Sequence, residues 1–263
     1  MKTEENYNVI RNIIDKGTVV ALTGAGISKE SGIPTFREKG GLWDRYDPSI
    51  YGSIVGLSSL FLFKPHRIKD FIVDIYEEII SVTPNPAHFA LAKLEEEGKI
   101  TCIVTQNIDN LHQEAGSNRV YELHGNIYVE RCIRCGKRYK RSKEEIKEIL
   151  DFLKSVRRYE ILSKILPKCE CGGRKRPDVV LFGESLPQKE FEEAYNEVRN
   201  CKSLLLVGTS GVVYPAASLP YLAKEVGATI IEISPEPTAL SSLADRTIIG
   251  KAGDILPKLL KRK

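Results

Sequence analysis

Gly24-Ala25-Gly26-Ile27-Ser28-Lys29-Glu30-Ser31-Gly32-Ile33-Pro34-Thr35-Phe36-Arg37 follows an apolar run of strand type, Thr18 to Leu22. Glycines at a strand end let an anionic ligand approach the main chain. Amides at a following helix start face negative charge, so this turn suits a dinucleotide pyrophosphate. It is not the dehydrogenase fingerprint, because Lys29 stands where the third glycine of G-x-G-x-x-G would be. A bare G-x-G is equally consistent with a simple tight turn. The continuation through Ser31-Gly32-Ile33-Pro34 to Phe36-Arg37 carries the information.

A second polar stretch, Thr105-Gln106-Asn107-Ile108-Asp109-Asn110-Leu111-His112, follows the apolar run Ile100–Thr105. Polar residues crowded at a strand end are where an α/β sheet handles its ligand. Another run ends in Leu123-His124-Gly125, which puts His124 at the same sheet edge, with a glycine for access and Asn107 and Asp109 nearby. An imidazole there suits a general base near neutral pH. His66, His88 and His112 read as structural. Gly208-Thr209-Ser210 ends a further strand and offers small hydroxyl residues to a ribose or phosphate. Arg176 to Glu184 is extended and apolar; it reads either as a core strand or as an edge that accepts a peptide by strand addition.

Cys132-x2-Cys135 and, after thirty-three intervening residues, Cys169-x-Cys171 supply the four thiolates of a closed structural zinc site, with Gly136 and Gly172-Gly173 for the tight knuckles. Four sulfur ligands leave no open position, so zinc should hold the fold without doing chemistry. Cys102 and Cys201 read as packing residues.

The elements that must position these groups alternate. Strands are expected at Thr18–Leu22, Ile100–Thr105, Val120–Leu123, Ser203–Val207, Ala228–Ile233 and Thr247–Ile249, mostly continuous apolar runs suited to a sheet buried on both faces. Helices are expected at Asn6–Lys16, Pro86–Glu97, Glu190–Asn200, Ala216–Val226 and Ile255–Lys263. The rhythm predicts a doubly wound, mostly parallel, Rossmann-like α/β domain of residues 1–37, 83–125 and 176–263. Two insertions interrupt it: a loop and helical module at 38–82 and a zinc-binding module at 126–175, which together form a smaller domain.

At 263 residues, 42% hydrophobic and 28% charged, the composition is that of an ordinary soluble protein. The first residues lack a secretory pattern and no apolar run approaches the roughly 18 residues of a membrane span. A cytoplasmic protein with reduced cysteines and no membrane partner is therefore expected. Net charge is +4, yet residues 131–176 hold sixteen Lys/Arg against six Asp/Glu, a net of +10, which leaves −6 elsewhere. Such an island is either a solvated face or an attraction to nucleic acid, or to a DNA-bound partner.

Taken together the motifs resemble the sirtuin family of NAD-dependent protein-lysine deacylases. The matching blocks run in order along nearly the whole chain: GAGISKESGIPTFR at 24–37, TQNIDNLHQEAG at 105–116, LHG at 123–125, the four cysteines, RPDVVLFGE at 176–184, GTSGVVYPAA at 208–217 and KAGD at 251–254. Trp43, within Gly40-Gly41-Leu42-Trp43, fits the family's cofactor loop. The resemblance implies NAD between the two domains: Gly24, Ala25, Gly26 and Arg37 on its phosphates, Gln106, Asn107, Ile108 and Asp109 around the nicotinamide ribose, and Gly208, Thr209, Ser210, Ser234 and Ala252 on the adenosine side. It implies that the acyl oxygen of an acylated lysine attacks the nicotinamide-ribose C1′. His124, assisted by Asn107 and Asp109, then activates the ribose hydroxyls, and the products are lysine, nicotinamide and O-acyl-ADP-ribose. Phe36 would shield the sugar cation. Val180, Leu181, Phe182, Gly183 and Glu184 on one side, with Gly211, Val212 and Val213 on the other, would sandwich the acyl peptide.

Three departures qualify this. Ser234 replaces an asparagine common in the family, so weaker ribose binding is expected; the second knuckle is Cys-x-Cys. GTSGVVYPAA resembles the subclass that removes succinyl and malonyl groups, yet Ile72 and Ile75 stand where that subclass has Tyr and Arg to read a carboxylate. Neither isoleucine can pair with an anion, so acetyl or longer apolar chains are expected instead. The competing readings are a mono-ADP-ribosyltransferase sharing the first step, a redox dehydrogenase disfavoured by the missing fingerprint, and a zinc-containing nucleic-acid binder.

Overall fold

The structure is a computed structural model that describes residues 2–36, 39–155 and 166–260. Six strands, β1 (Val19–Thr23), β2 (Ile100–Thr105), β3 (Val120–Glu122), β7 (Ser203–Val207), β8 (Thr229–Ser234) and β9 (Arg246–Ile249), form one parallel sheet in the order β3-β2-β1-β7-β8-β9. The three strands between, β4 (Gly125–Cys132), β5 (Arg138–Lys140) and β6 (Lys175–Val179), make a small antiparallel sheet in the order β5-β4-β6.

The unbroken apolar strands are explained by burial on both sides. Along β1, Val19 and Ala21 face one hydrophobic cluster while Val20 and Leu22 face another. Leu205 and Val207 alternate with Leu204 and Leu206 in the same way. The first cluster receives helices α1 (Lys2–Asp15), α6 (Pro86–Glu96) and α11 (Ala252–Leu260); the second receives α9 (Gln188–Asn200) and α10 (Leu219–Glu225). Period two with apolar residues at every position therefore encodes a central sheet, not an amphipathic one. The order turns at β1, whose neighbours β2 and β7 lead the chain in opposite directions, so a crevice opens at the carboxyl ends of these strands.

The expected helix Ala216–Val226 begins as a short 3-10 turn at Ala216–Ser218, because Pro220 cannot supply an amide to an earlier α-turn. The last helix starts earlier than expected, at Ala252, and residues 261–263 lie outside the described residues.

The first insertion forms α2 (Leu42–Arg45), α3 (Pro48–Tyr51), α4 (Ile54–Phe63) and α5 (Pro65–Ile80). The other contains α8 (Lys143–Ser155), while the short α7 (Leu111–Glu114) lies between β2 and β3 of the main sheet. Ile79 and Ile80 of α5, Ile127 and Tyr128 of β4, and Ile146 and Leu150 of α8 share one hydrophobic cluster. The helical and zinc modules thus have a common core. Among the described residues no helix is long and apolar enough to cross a membrane.

Candidate functional site

The loops after β1 and β7 meet backbone to backbone. Gly24 N–H donates to the Val207 carbonyl at 3.1 Å and Gly26 N–H to the Gly208 carbonyl at 2.9 Å. A Cβ on Gly26 would lie 2.7 Å from Gly208 Cα. These glycines are therefore required by the approach of two loops, and their own amides are spent on it. The loop continues as two 3-10 turns, Ala25–Ile27 and Lys29–Ser31, instead of the expected helix start. With Ile27 and Ser28 N–H bonded to Gly24 and Ala25 carbonyls, Ala25 holds the amide in 24–28 that has no partner among the described residues. Arg37 lies outside the described residues.

The loop after β2 is tied to the same place. Gln106 Nε2 donates to Thr209 Oγ1 at 2.8 Å. Asn107 Nδ2 donates to Ser28 Oγ at 3.0 Å, and that hydroxyl donates to Asp109 Oδ2 at 2.6 Å. Asp109 also accepts from Leu111 N–H at 3.1 Å. Burial pushes its carboxyl up from the usual carboxylate range, while the hydrogen bonds from Ser28 and Leu111 oppose that rise. Ser28 is the residue that sequence reasoning passed over. Its only signal was a hydroxyl two positions beyond Gly26, and its partners Asn107 and Asp109 lie about eighty residues away in the chain.

His124 sits in the turn between β3 and β4. Its Nδ1 is 2.9 Å from the Gln106 carbonyl, which can only accept, so Nδ1 carries the proton and Nε2 keeps its lone pair. Burial lowers its pKa below the ordinary 6.5. His88 and His112 are buried: His88 Nδ1 accepts from Asn85 N–H in a helix cap, and His112 Nε2 lies 2.9 Å from Thr23 Oγ1. His66 is exposed on α5, a surface residue and not a buried structural one.

One cleft of about 960 Å³ joins these groups. Gly24, Ala25, Gly26, Phe36, Gln106, Asn107, Ile108, His124, Gly208, Thr209, Ser210 and Ser234 line it, together with Val180 to Glu184 and Val212. Asp109 stands behind Ser28. Ala252 does not line the cleft but is buried in the core at the start of α11, and Gly211 packs against Leu240. The far end is apolar, with Leu42, Trp43, Leu57, Phe61, Ile68, Phe71, Ile72 and Ile75. Phe36, Trp43 and Phe182 form an aromatic row between the halves, with ring centroids 5.7 and 5.8 Å apart.

These features coincide with known proteins. The Sir2 family model matches residues 24–215. The chain belongs to the Sir2 family. It is 45% identical to an NAD-dependent protein deacylase of Pyrococcus furiosus over 96% of both chains. A crystal structure of a Sir2 homolog–NAD complex superposes with a TM-score of 0.80 at 38% identity, covering 96% of this chain and 91% of the other. Sir2Af2 bound to a myristoylated histone peptide superposes at 0.72 with 37% identity, covering 97% and 95%.

In this Sir2-family chain the segment after β6 is neither a core strand nor a fully open edge. β6 is half-buried at the edge of the small sheet. Beyond it, Val180 N–H donates to the His124 carbonyl at 2.9 Å, Leu181 N–H to Glu184 Oε2 at 2.9 Å, and Phe182 N–H to the Gly52 carbonyl at 2.7 Å. Gly183 carries the one amide of 180–184 without a partner among the described residues. Glu184 is clamped by Arg176 at 2.6 and 2.9 Å, so it braces the loop.

The four thiols fit a zinc ion. All four sulfurs lie within 4.8 Å of one another, with Cys132–Cys171 at 3.5 Å and Cys135–Cys169 at 3.8 Å. Zinc–sulfur bonds of about 2.3 Å in a tetrahedron require sulfur separations of about 3.8 Å. Arg134 and Gly173 N–H groups each point at a ligand sulfur from 3.4 Å, and the Tyr139 hydroxyl lies 3.1 Å from Cys169 Sγ. The short Cys-x-Cys knuckle is accommodated because Gly173 leaves room: a Cβ there would lie 2.9 Å from Cys132 Sγ.

Proposed function

We propose that this Sir2-family member is an NAD-dependent protein-lysine deacylase whose cleft takes NAD along its polar half and an apolar acyl chain along its apolar half. The observation that carries the reading is the position of His124: its ring and the Gly24–Gly26 turn line one crevice, with Nε2 left as a base by the Gln106 carbonyl.

Bound NAD supplies a nicotinamide leaving group at C1′ of its ribose. Ala25 N–H and the Thr209 and Ser210 hydroxyl residues suit its phosphates and adenosine ribose. Asn107 and Ile108 form the nicotinamide wall, and Ser28, held from behind by Asp109, fixes the Asn107 side chain through one hydroxyl. Neutral His124 accepts the proton of a ribose hydroxyl at Nε2. Phe36 and the aromatic row keep water from the reacting carbon. Zinc has only structural work here, joining the ends of the zinc module below β4 and β6.

The acyl wall of Leu42, Trp43, Phe61, Ile68, Phe71, Ile72 and Ile75 is apolar. Of the two cations that line the cleft, Arg176 is held by Glu184 and Lys29 belongs to the turn after Gly26, so a succinyl carboxylate against this wall would be buried without a partner. Turnover of acetyl-, myristoyl- and succinyl-lysine peptides with NAD, followed by mass spectrometry, tests both claims. We expect O-acyl-ADP-ribose from the first two and at least about a hundredfold lower kcat/KM for the third, from several kcal/mol of unpaired charge burial. Nicotinamide release without an acylated peptide would favour ADP-ribosyl transfer instead.

Our reading of the partner is an acylated-lysine protein, with no further weight on DNA. Much of the basic island is neutralised internally: Arg131 and Arg138 meet Asp178 at 3.0 and 2.6 Å, and Arg141 and Lys175 meet Glu130 at 2.7 and 3.1 Å. Lys137 pairs with Glu170 and Lys154 with Glu77. A cytoplasmic location is supported by six cysteines that are all free of disulfides.

A further inference from the structure

Helix α4, Ile-Val-Gly-Leu-Ser-Ser-Leu-Phe-Leu-Phe, is apolar on all sides, which suits a helix buried all round. It is not buried all round. Leu57 and Phe61 turn into the cleft and Leu60 into the protein. Val55, Leu62 and Phe63, at i, i+7 and i+8, fall on one outward stripe and are 81, 72 and 70% exposed. Single exposed apolar residues are ordinary, but three large ones in register on one face mark an interaction surface. The chain then turns directly into Lys64, Pro65, His66, Arg67 and Ile68. Lys64 and Arg67 are exposed, and neither has an ion-pair partner among the described residues. Asp70 is the nearest exposed acid in sequence.

We infer that this stripe and its flanking cations seat the protein on an anionic lipid surface. Leucine and phenylalanine on a convex helix, bordered by cations of one sign, match the headgroup boundary of a bilayer, where apolar burial and attraction to anionic lipid add. Ile54 and Leu62 belong both to the exposed face and to the cleft wall, so the apolar half of the cleft opens beside the seated stripe. An acyl chain carried at the membrane would enter from there, a consequence that rests on the deacylase reading. The docking itself does not. It is peripheral and needs no spanning segment.

Sedimentation of the full chain with vesicles of phosphatidylcholine, alone or mixed with phosphatidylglycerol, tests the proposal. The protein should sediment with the mixed vesicles, less so as salt is raised, and little with phosphatidylcholine alone. The pair V55E/F63E, at positions outside the cleft wall, should weaken partitioning on the order of tenfold or more, and K64E/R67E should do so on the anionic vesicles. Melting curves of both variants separate lost docking from lost fold. No sedimentation, equal sedimentation on the two lipids, or well-folded variants that bind like the parent each overturn it. So does a parent that sediments with neither lipid but forms a dimer that V55E/F63E dissociates, since the stripe would then meet a second copy. Vesicle binding with no deacylation of any peptide would sink the functional reading and leave the docking standing.

Discussion

The two halves of the cleft are built by different physics. In the polar half, four loops from the ends of β1, β2, β3 and β7 are cross-linked by side-chain and backbone hydrogen bonds: Gln106 to Thr209, Asn107 to Ser28 to Asp109, His124 to the Gln106 carbonyl, Gly26 to Gly208. Each group has a directional partner, so few residue types are tolerated. The apolar half is a set of side-chain surfaces from α2 to α5, with specificity set by volume and by the absence of charge. One half is specified residue by residue, the other only in aggregate.

The largest expected effect breaks the polar half at its centre. His124→Ala should lower deacylation kcat/KM by about 10²- to 10⁴-fold, the range of a lost general base, with little change in melting temperature. The pH profile sharpens the same point. Because burial disfavours the imidazolium, the acid limb of kcat/KM should be centred below the ordinary imidazole value of 6.5. An acid limb centred above pH 6.5 would assign the base elsewhere.

The next tests breach the apolar half. Ile72→Tyr with Ile75→Arg places a hydroxyl and a guanidinium where the succinyl-removing pattern has them. The succinyl-to-acetyl ratio of kcat/KM should rise by at least about tenfold, since a hydrogen bond to a charged group is worth about 1.5 kcal/mol or more. An unchanged ratio would remove Ile72 and Ile75 from the acyl site. A smaller loss is expected from Gly26→Ala: with Gly208 Cα 2.7 Å from the new Cβ, the loops must separate. Overpacking of this kind costs about 1–3 kcal/mol. It should appear as a lower melting temperature and a KM for NAD raised about tenfold, because Ala25 and Thr209 move with the loops.

The same contrast governs what could be read from the chain. The six parallel strands were legible within one or two residues, since strands buried on both faces are continuous apolar runs closed by Gly or polar turns. Polar-half residues were legible because they follow those strands directly. Three things were not. The 3-10 geometry at Ala25–Ser31 follows from the approach of Gly208, a contact about 180 residues distant. Ser28 meets Asn107 and Asp109 only in the folded sheet. The seat of Phe182 on Gly52 depends on how an insertion folds back. The neutralised basic island was illegible for the same reason: Asp178, Glu130 and Glu77 oppose it from other elements, and a count along the chain cannot see across a sheet.

The smallest effect gives the comparison its sharpest form. Ile72→Leu conserves volume and polarity, and such swaps cost less than about 1.5 kcal/mol even in well-packed cores. Ile72 is only partly buried and lines a cleft already wide enough for a chain, so kcat/KM on acetyl- and myristoyl-lysine peptides should stay within about threefold. The matching change in the other half is Asn107→Asp, equally conservative in shape. It replaces the Nδ2 donor to Ser28 with an acceptor, and Ser28 cannot donate to two carboxylates at once. With Asp109 already disfavoured as an anion by burial, a second carboxylate beside it should cost far more than the leucine does. If peptide kinetics show the two isosteric substitutions to be equally mild, hydrogen-bond direction is not what organises the NAD half, and the distinction between the halves fails.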